Sequence, residues 1–267
     1  MIKLFATDLD GTLLISGKPI AKENIEAAKY AESKGVTVAI ATGRMYRAAL
    51  PIARELGVDA PIITYNGALI KSASGKVFYE NYIKEELALE AIEIARENNW
   101  HLQIYSDDEL FYPKENELSK TYESVQAIKG NAVGWEGLKE HTAKITKILT
   151  ISLDQEESVR RRKIFEDTFK NRLTVTSSTA IFAELTNLGV SKASGLRELA
   201  KILNVSIEET MAIGDADNDL PMLKAAGKSV AMGNAAAHIK EAADFVTTDC
   251  KEHGFANAIY KFVLGEG

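Results

Sequence analysis

The chain has 267 residues, 46% of them hydrophobic, which is enough for one large α/β domain or two smaller ones with a full core. Its net charge of −6 excludes a general nucleic-acid surface, which needs a basic face, but not a small anionic substrate held by a local cluster of cations. Cys250 is the single cysteine, so no internal disulfide forms; no apolar run nears the ~18 residues of a membrane span, and Asp8 and Asp10 interrupt any signal-peptide core, so a cytoplasmic protein without a membrane partner is expected.

In chain order, residues 2–7 form a short apolar run that predicts a buried strand. Periodicity over 22–33 predicts an amphipathic helix stopped by Gly35, followed by a strand at 36–41 and a helix ending at Leu56 with Pro51 inside it or near its start. A third strand is predicted at 62–65. This strand-helix alternation calls for a parallel sheet covered on both faces. The middle of the chain differs. Strands are predicted at 77–79, 101–105, 110–112, 148–153, 174–176 and 181–185, with helices at 85–98, 116–127 and 156–170. Asp107-Asp108-Glu109 reads as a hairpin tip. The doubly wound pattern then returns, with helices at 191–203, 220–226 and 236–242 and strands at 210–213, 229–231 and 245–246. The expected fold is therefore α/β, a doubly wound parallel-sheet core split by an inserted α+β domain. The core spans 1–82 and 187–267, and the insertion 83–186.

Four segments share one design, an apolar strand ending in a polar turn that opens toward a helix or crossover. They are Asp8-Leu9-Asp10-Gly11-Thr12, Thr42-Gly43-Arg44, Asn66-Gly67 and Gly214-Asp215-Ala216-Asp217-Asn218-Asp219. In parallel α/β sheets such ends converge on one ligand crevice. Two carboxylates about 4 Å apart repel by roughly 4 kcal/mol at an effective dielectric near 20. Gathering Asp8, Asp10, Asp215 and Asp219 therefore calls for a divalent cation, and an all-oxygen site favours Mg2+. The four histidines lack ligand spacing, which argues against zinc. With a metal screening the repulsion, Asp8 suits nucleophilic attack on phosphorus, and Asp10 suits protonation of the leaving oxygen and later activation of water. Thr42 and the Gly43 amide mark an anion site at a helix start, and Lys192 after Ser191 marks a point charge for phosphate. Taken singly, each piece has a plain structural reading: Asp-Gly as a turn, Asp219 as a helix cap, Asn66-Gly67 as a hairpin. Their joint occurrence, in order, at strand ends is what points to a site.

In this order the segments resemble the haloacid dehalogenase-like (HAD) superfamily, and within it the Cof-type phosphatases. Asp8-Leu9-Asp10-Gly11-Thr12-Leu13 matches the first motif, Thr42-Gly43-Arg44 the second, Ser191-Lys192 the third, and Gly214-Asp215 with Asn218-Asp219 the fourth. The one departure is Ala193, where many relatives carry glycine. The resemblance implies a Rossmann-like core with an α/β cap over the active site. It implies Asp8 as nucleophile and Asp10 as general acid/base, with Mg2+ held by Asp8, the main-chain carbonyl of Asp10, and Asp215. Thr42 and Lys192 would bind phosphate, Asn218 would lie near it, and Asp219 would support the metal from the second rank. Arg44, Asn66 and Gly67 fall where such proteins line the substrate entrance. Dehalogenases of the superfamily lack the second aspartate, so Asp10 favours phosphatase. The expected activity is hydrolysis of small phosphorylated metabolites, such as sugar phosphates or phosphorylated cofactors, through an aspartyl-phosphate. A phosphomutase or phosphotransferase and a non-catalytic phosphometabolite sensor stand as alternatives. The natural substrate, and whether the chain forms a homo-oligomer, stay open.

Overall fold

The computed structural model describes residues 1–15, 18–57, 59 and 61–263. They separate into two compact units: one of residues 1–43, 49–79 and from Ser191 onward, the other of residues 44–48 and 80–190.

The first unit is built on a five-stranded parallel sheet, in the order Phe245–Val246, Lys228–Ala231, Thr210–Gly214, Leu4–Thr7, Thr37–Ile40. All four residues of Leu4–Thr7 and all five of Thr210–Gly214 are buried, the signature of strands covered on both faces. The chain leaves Leu4–Thr7 toward Thr37–Ile40 on one side and later re-enters the sheet at Thr210–Gly214 on the other. That reversal places a crevice at the carboxyl ends of the two central strands.

Ile62–Thr64 lies beside the sheet through a parallel bridge between Ala41 and Ile63. It then folds back through the 3-10 turn Tyr65–Gly67 onto the antiparallel strand Leu69–Lys71. Helix Lys22–Ser33 packs against helix Gly254–Val263, and Lys192–Ile202 packs against Leu220–Ala225. Pro51 sits inside helix Tyr46–Leu56. The sequence expectations end at residue 246 and do not include helix Gly254–Val263, although Phe255 and Ile259 recur at helical spacing and are fully buried. The strand Leu69–Lys71, three residues long, also went unmarked.

The second unit holds a six-stranded sheet in the order Leu173–Thr176, Phe182–Asn187, Ile145–Ile151, His101–Ser106, Glu109–Tyr112, Gly130–Ala132. One face carries Leu102, Ile104, Ile148, Ala183 and Leu185 into a core shared with Ala88, Ile92 and Phe165 of two helices. Alternate positions on the other face are polar yet buried. Lys147 pairs with Glu184 at 3.0 Å, and Tyr105 donates to the Tyr122 hydroxyl at 2.6 Å. Trp100, Tyr105, Tyr112 and Tyr122 are all buried packing residues. The Asp107-Asp108 tip closes a two-residue hairpin, with Ser106 paired to Glu109 and both aspartates at positive φ (50° and 61°). The fold is thus α/β, a Rossmann-like doubly wound core with an inserted α+β cap domain. Among the described residues, no helix is long and apolar enough to cross a membrane.

Candidate active site

Asp8 is the first residue beyond strand Leu4–Thr7. Its backbone N–H donates to Ile213 O at 3.0 Å, so ladder bonding continues one residue past the strand and fixes where the side chain leaves the sheet. The residue is buried, at 5% exposure. Asp10, two residues on, is exposed. Gly11 then turns the chain with φ of 84°, and a Cβ there would stand 2.5 Å from Asp215 Oδ2. Only glycine permits both that dihedral and that approach. Thr12 follows, its hydroxyl donating to Asp215 Oδ1 at 3.0 Å.

Asp215 stands at the end of the neighbouring strand, Thr210–Gly214, which explains how residues more than 200 apart in sequence meet. Asp219, one turn on, does not take the cap reading that its position also allowed. Its side chain makes no capping bond to helix Leu220–Ala225. Oδ2 instead accepts from the backbone N–H groups of Asp215 and Ala216, both at 3.0 Å, and Oδ1 meets Lys192 Nζ at 2.5 Å. Lys192 is the first residue of a helix whose N-cap, Ser191, forms a capping box with Ser194. Its ammonium also lies 2.5 Å from Asp8 Oδ1, and its side chain is 1% exposed.

Asp8, Asp215 and Asp219 each offer a carboxylate oxygen within 4.8 Å of the others. Of the side chains grouped here, three carboxylates face one ammonium, which leaves an excess of two negative charges when all are ionised. The consequences show in their titration. Burial, reinforced by Asp219, holds Asp8 well above the usual carboxylate range, and the Lys192 charge offsets this only in part. Burial and then Asp219 push Asp215 up to about 6. Burial works to lower Lys192, but Asp219 and Asp8 outweigh it and keep the ammonium charged. A site that would otherwise take up protons to relieve its charge is chemically fit for a divalent cation, whose charge equals the excess. The all-oxygen donor set suits a hard ion.

A second group adjoins the first. Thr42 is buried, its N–H donating to Ile63 O and its carbonyl accepting from Asn66 N. Gly43 runs against Asn66, where an added Cβ would sit 2.8 Å from Oδ1. That same oxygen accepts from Asn218 Nδ2 at 3.1 Å. The Asn66-Gly67 dipeptide is thus both the hairpin connection and a buried polar element, Asn66 being 2% exposed with φ of 58°. Gly67, with φ of 107°, would carry its Cβ 2.2 Å from Ser191 O, so it lets the hairpin touch the helix start that bears Lys192. Arg44 falls in the second unit, where its charge is felt by Tyr122.

Two contributors were not singled out from the sequence. Thr12 lies inside the first motif but was given no role of its own. Asn234 follows strand Lys228–Ala231 and donates from Nδ2 to Gly11 O at 2.8 Å and to Asp215 Oδ2 at 3.4 Å. The segment Met232-Gly233-Asn234 repeats the pattern of an apolar strand ending in a glycine-containing polar turn, and that pattern was the available signal.

The haloacid dehalogenase-like hydrolase family matches residues 5–259. The chain is 32% identical to Phosphatase YwpJ of Bacillus subtilis (strain 168), covering 96% of this chain and 98% of that one. It is 33% identical to the 5-amino-6-(5-phospho-D-ribitylamino)uracil phosphatase YcsE of the same organism, over 98% and 96%. The crystal structure of a haloacid dehalogenase-like hydrolase from Bacteroides thetaiotaomicron superposes with a TM-score of 0.86 at 30% identity, over 98% and 99% of the two chains.

Proposed function

Because the chain belongs to the haloacid dehalogenase-like hydrolase family and is a phosphoric monoester hydrolase of that type, we propose that it hydrolyses small phosphorylated metabolites with Mg2+ through an aspartyl-phosphate on Asp8. The observation that carries this reading is the Asp8 carboxylate, held at a strand end between Lys192 and the Asp215–Asp219 turn. Mg2+ would be held by Asp8, the main-chain carbonyl of Asp10, and Asp215. Asp219 would support it, since both of its oxygens are already engaged by Lys192 and the turn amides. When bound, the ion would screen the carboxylates from the phosphate and polarise the phosphoryl oxygens.

The chain's own residues take the other roles. Asp8 attacks phosphorus, displacing the alcohol, and Asp10 gives that leaving oxygen its proton. Asp10 then takes a proton from water, which attacks the phosphoenzyme, releases inorganic phosphate and frees Asp8. Lys192 and Thr42 bind phosphate oxygens. The Gly43 amide, Asn66, Gly67 and Asn218 shape the adjoining wall, and Arg44 contributes to substrate selection. Similarity to a relative that acts on 5-amino-6-(5-phospho-D-ribitylamino)uracil supports a phosphorylated polyol or sugar as substrate class.

The direct test is phosphate release from a panel of several dozen metabolite monoesters, ranked by kcat/KM. Activity should need added Mg2+, vanish in EDTA and return with excess Mg2+. Full turnover in EDTA would remove the metal from the reading, and no release from any monoester would remove the hydrolysis.

Proton uptake adds a pH dependence. Burial and Asp219 hold Asp215 at about 6 in the metal-free fold, well above an ordinary aspartate. The stability linked to this proton is full below the ordinary pKa of an aspartate in the unfolded chain and is lost as pH rises through about 6. Mg2+ must displace the same proton, so its binding weakens in acid. Half-saturating Mg2+ should therefore rise at least about tenfold from pH 7 to pH 5, since Asp8, also held above the usual range, gives up its proton to the ion as well. The check is Mg2+ titration of the melting temperature at both values, and an unchanged midpoint would contradict it.

A further inference from the structure

We infer that Asn234 is a positioning residue for the divalent-cation site, setting in place the Asp215 carboxylate and the Gly11–Thr12 peptide that follows Asp10. The inference rests on the functional reading above. Asn234 is exposed, yet its whole carboxamide is committed. Oδ1 accepts from the backbone N–H of Cys250 at 3.0 Å, while Nδ2 faces Gly11 O at 2.8 Å and Asp215 Oδ2 at 3.4 Å. A backbone N–H can only donate and a carbonyl can only accept, so the partners themselves decide which way the amide points.

What the amide holds is specific to the site. Asp215 Oδ1 is already taken by the Thr12 hydroxyl, and Asn234 supplies the tether on Oδ2, so rotation of the carboxylate is resisted at both oxygens. At the Asp10–Gly11 peptide, the Gly11 N–H donates to Leu14 O at 3.0 Å. A trans peptide points its carbonyl opposite to its N–H, so that bond also sets the direction of the Asp10 carbonyl. Asn234 fixes the next carbonyl, Gly11 O, and so holds the far side of a residue whose φ of 84° makes it the pivot of the loop. One side chain from a third strand end thereby links two segments that each supply a cation ligand. Removing such an outer partner typically costs about 10- to 100-fold in metal affinity or activity.

The test compares Asn234→Ala and Asn234→Leu with the unaltered protein. Mg2+ is titrated with two readouts: the melting temperature without substrate, and kcat and KM for p-nitrophenyl phosphate. Half-saturating Mg2+ should rise about tenfold or more in both readouts. KM at saturating Mg2+ should stay within about twofold, kcat should recover at high Mg2+, and the metal-free melting temperature should stay within a few degrees. A variant that titrates as the unaltered protein does would overturn the inference. So would a lowered metal-free melting temperature with an unchanged Mg2+ midpoint, which marks a plain structural tether to Cys250. If the unaltered protein itself shows no Mg2+ response in either readout, the functional reading fails, and this inference with it.

Discussion

Replacing Asp8 by asparagine should lower kcat by about 10^4-fold or more while leaving the fold intact. The substitution keeps the shape of the side chain and an oxygen for Lys192 Nζ, now at 2.5 Å. It removes the second oxygen's negative charge, and with it the nucleophile. The same change relieves the site of one buried carboxylate, in a cluster where burial and Asp219 already drive Asp8 toward its protonated form. The metal-free Asp8→Asn protein should therefore melt at the same temperature as the unaltered one or a few degrees higher at pH 7, and gain less from added Mg2+. Single-turnover kinetics and paired melting curves with and without Mg2+ check both parts. Retention of more than about 1% of activity would remove Asp8 from the nucleophile's role.

The largest loss of stability is expected from Lys192→Met, which keeps most of the unbranched side chain, one atom shorter, and deletes its charge. The ammonium is 1% exposed and stands 2.5 Å from both Asp8 and Asp219, which are 7% and 0% exposed at their side chains. Without it, buried carboxylates are left uncompensated, at a cost of about 3–5 kcal/mol. In a chain of this size that lowers the melting temperature by on the order of 10 °C. Turnover should fall by about 10^2- to 10^3-fold, the effect of losing one charge-stabilising group. Adding Asp219→Asn to Lys192→Met should restore part of the stability, since the second change removes a charge the first exposed, and should restore none of the activity. Melting without metal at pH 7 decides the matter. A loss below about 1 kcal/mol would mean that solvent, not Lys192, balances these carboxylates.

Much of the core was legible because its strands carry a strong local signal. Short apolar runs such as Leu4–Thr7 and Thr37–Ile40 end in turn residues, and the helix at Lys22–Ser33 follows its apolar period to the residue. Leu69–Lys71 and Gly130–Ala132 escaped notice because three-residue strands carry weak local signals, whereas Gly254–Val263 had a readable helical period and was passed over all the same. The choice between the cap reading of Asp219 and its metal-supporting reading needed the fold. Its residue type and position before Leu220-Pro221 suit capping, but an ammonium and two amides from other segments compete for the same oxygens.

The opening motif, Asp8 to Thr12, shows the division well. By itself the sequence determined a strand followed by a glycine turn, two carboxylates on either side of Leu9, and the order of the motifs that accompany them. Only the tertiary structure decided which partners each carboxylate meets. Parallel pairing of Leu4–Thr7 with Thr210–Gly214 brings Asp215 and Asp219 beside Asp8, the helix from Lys192 supplies the cation, and Asn234 arrives from a third strand end. Local sequence encodes backbone preference and burial. The charge balance of a buried site depends on groups hundreds of residues apart, and it exists only once the sheet has closed around them.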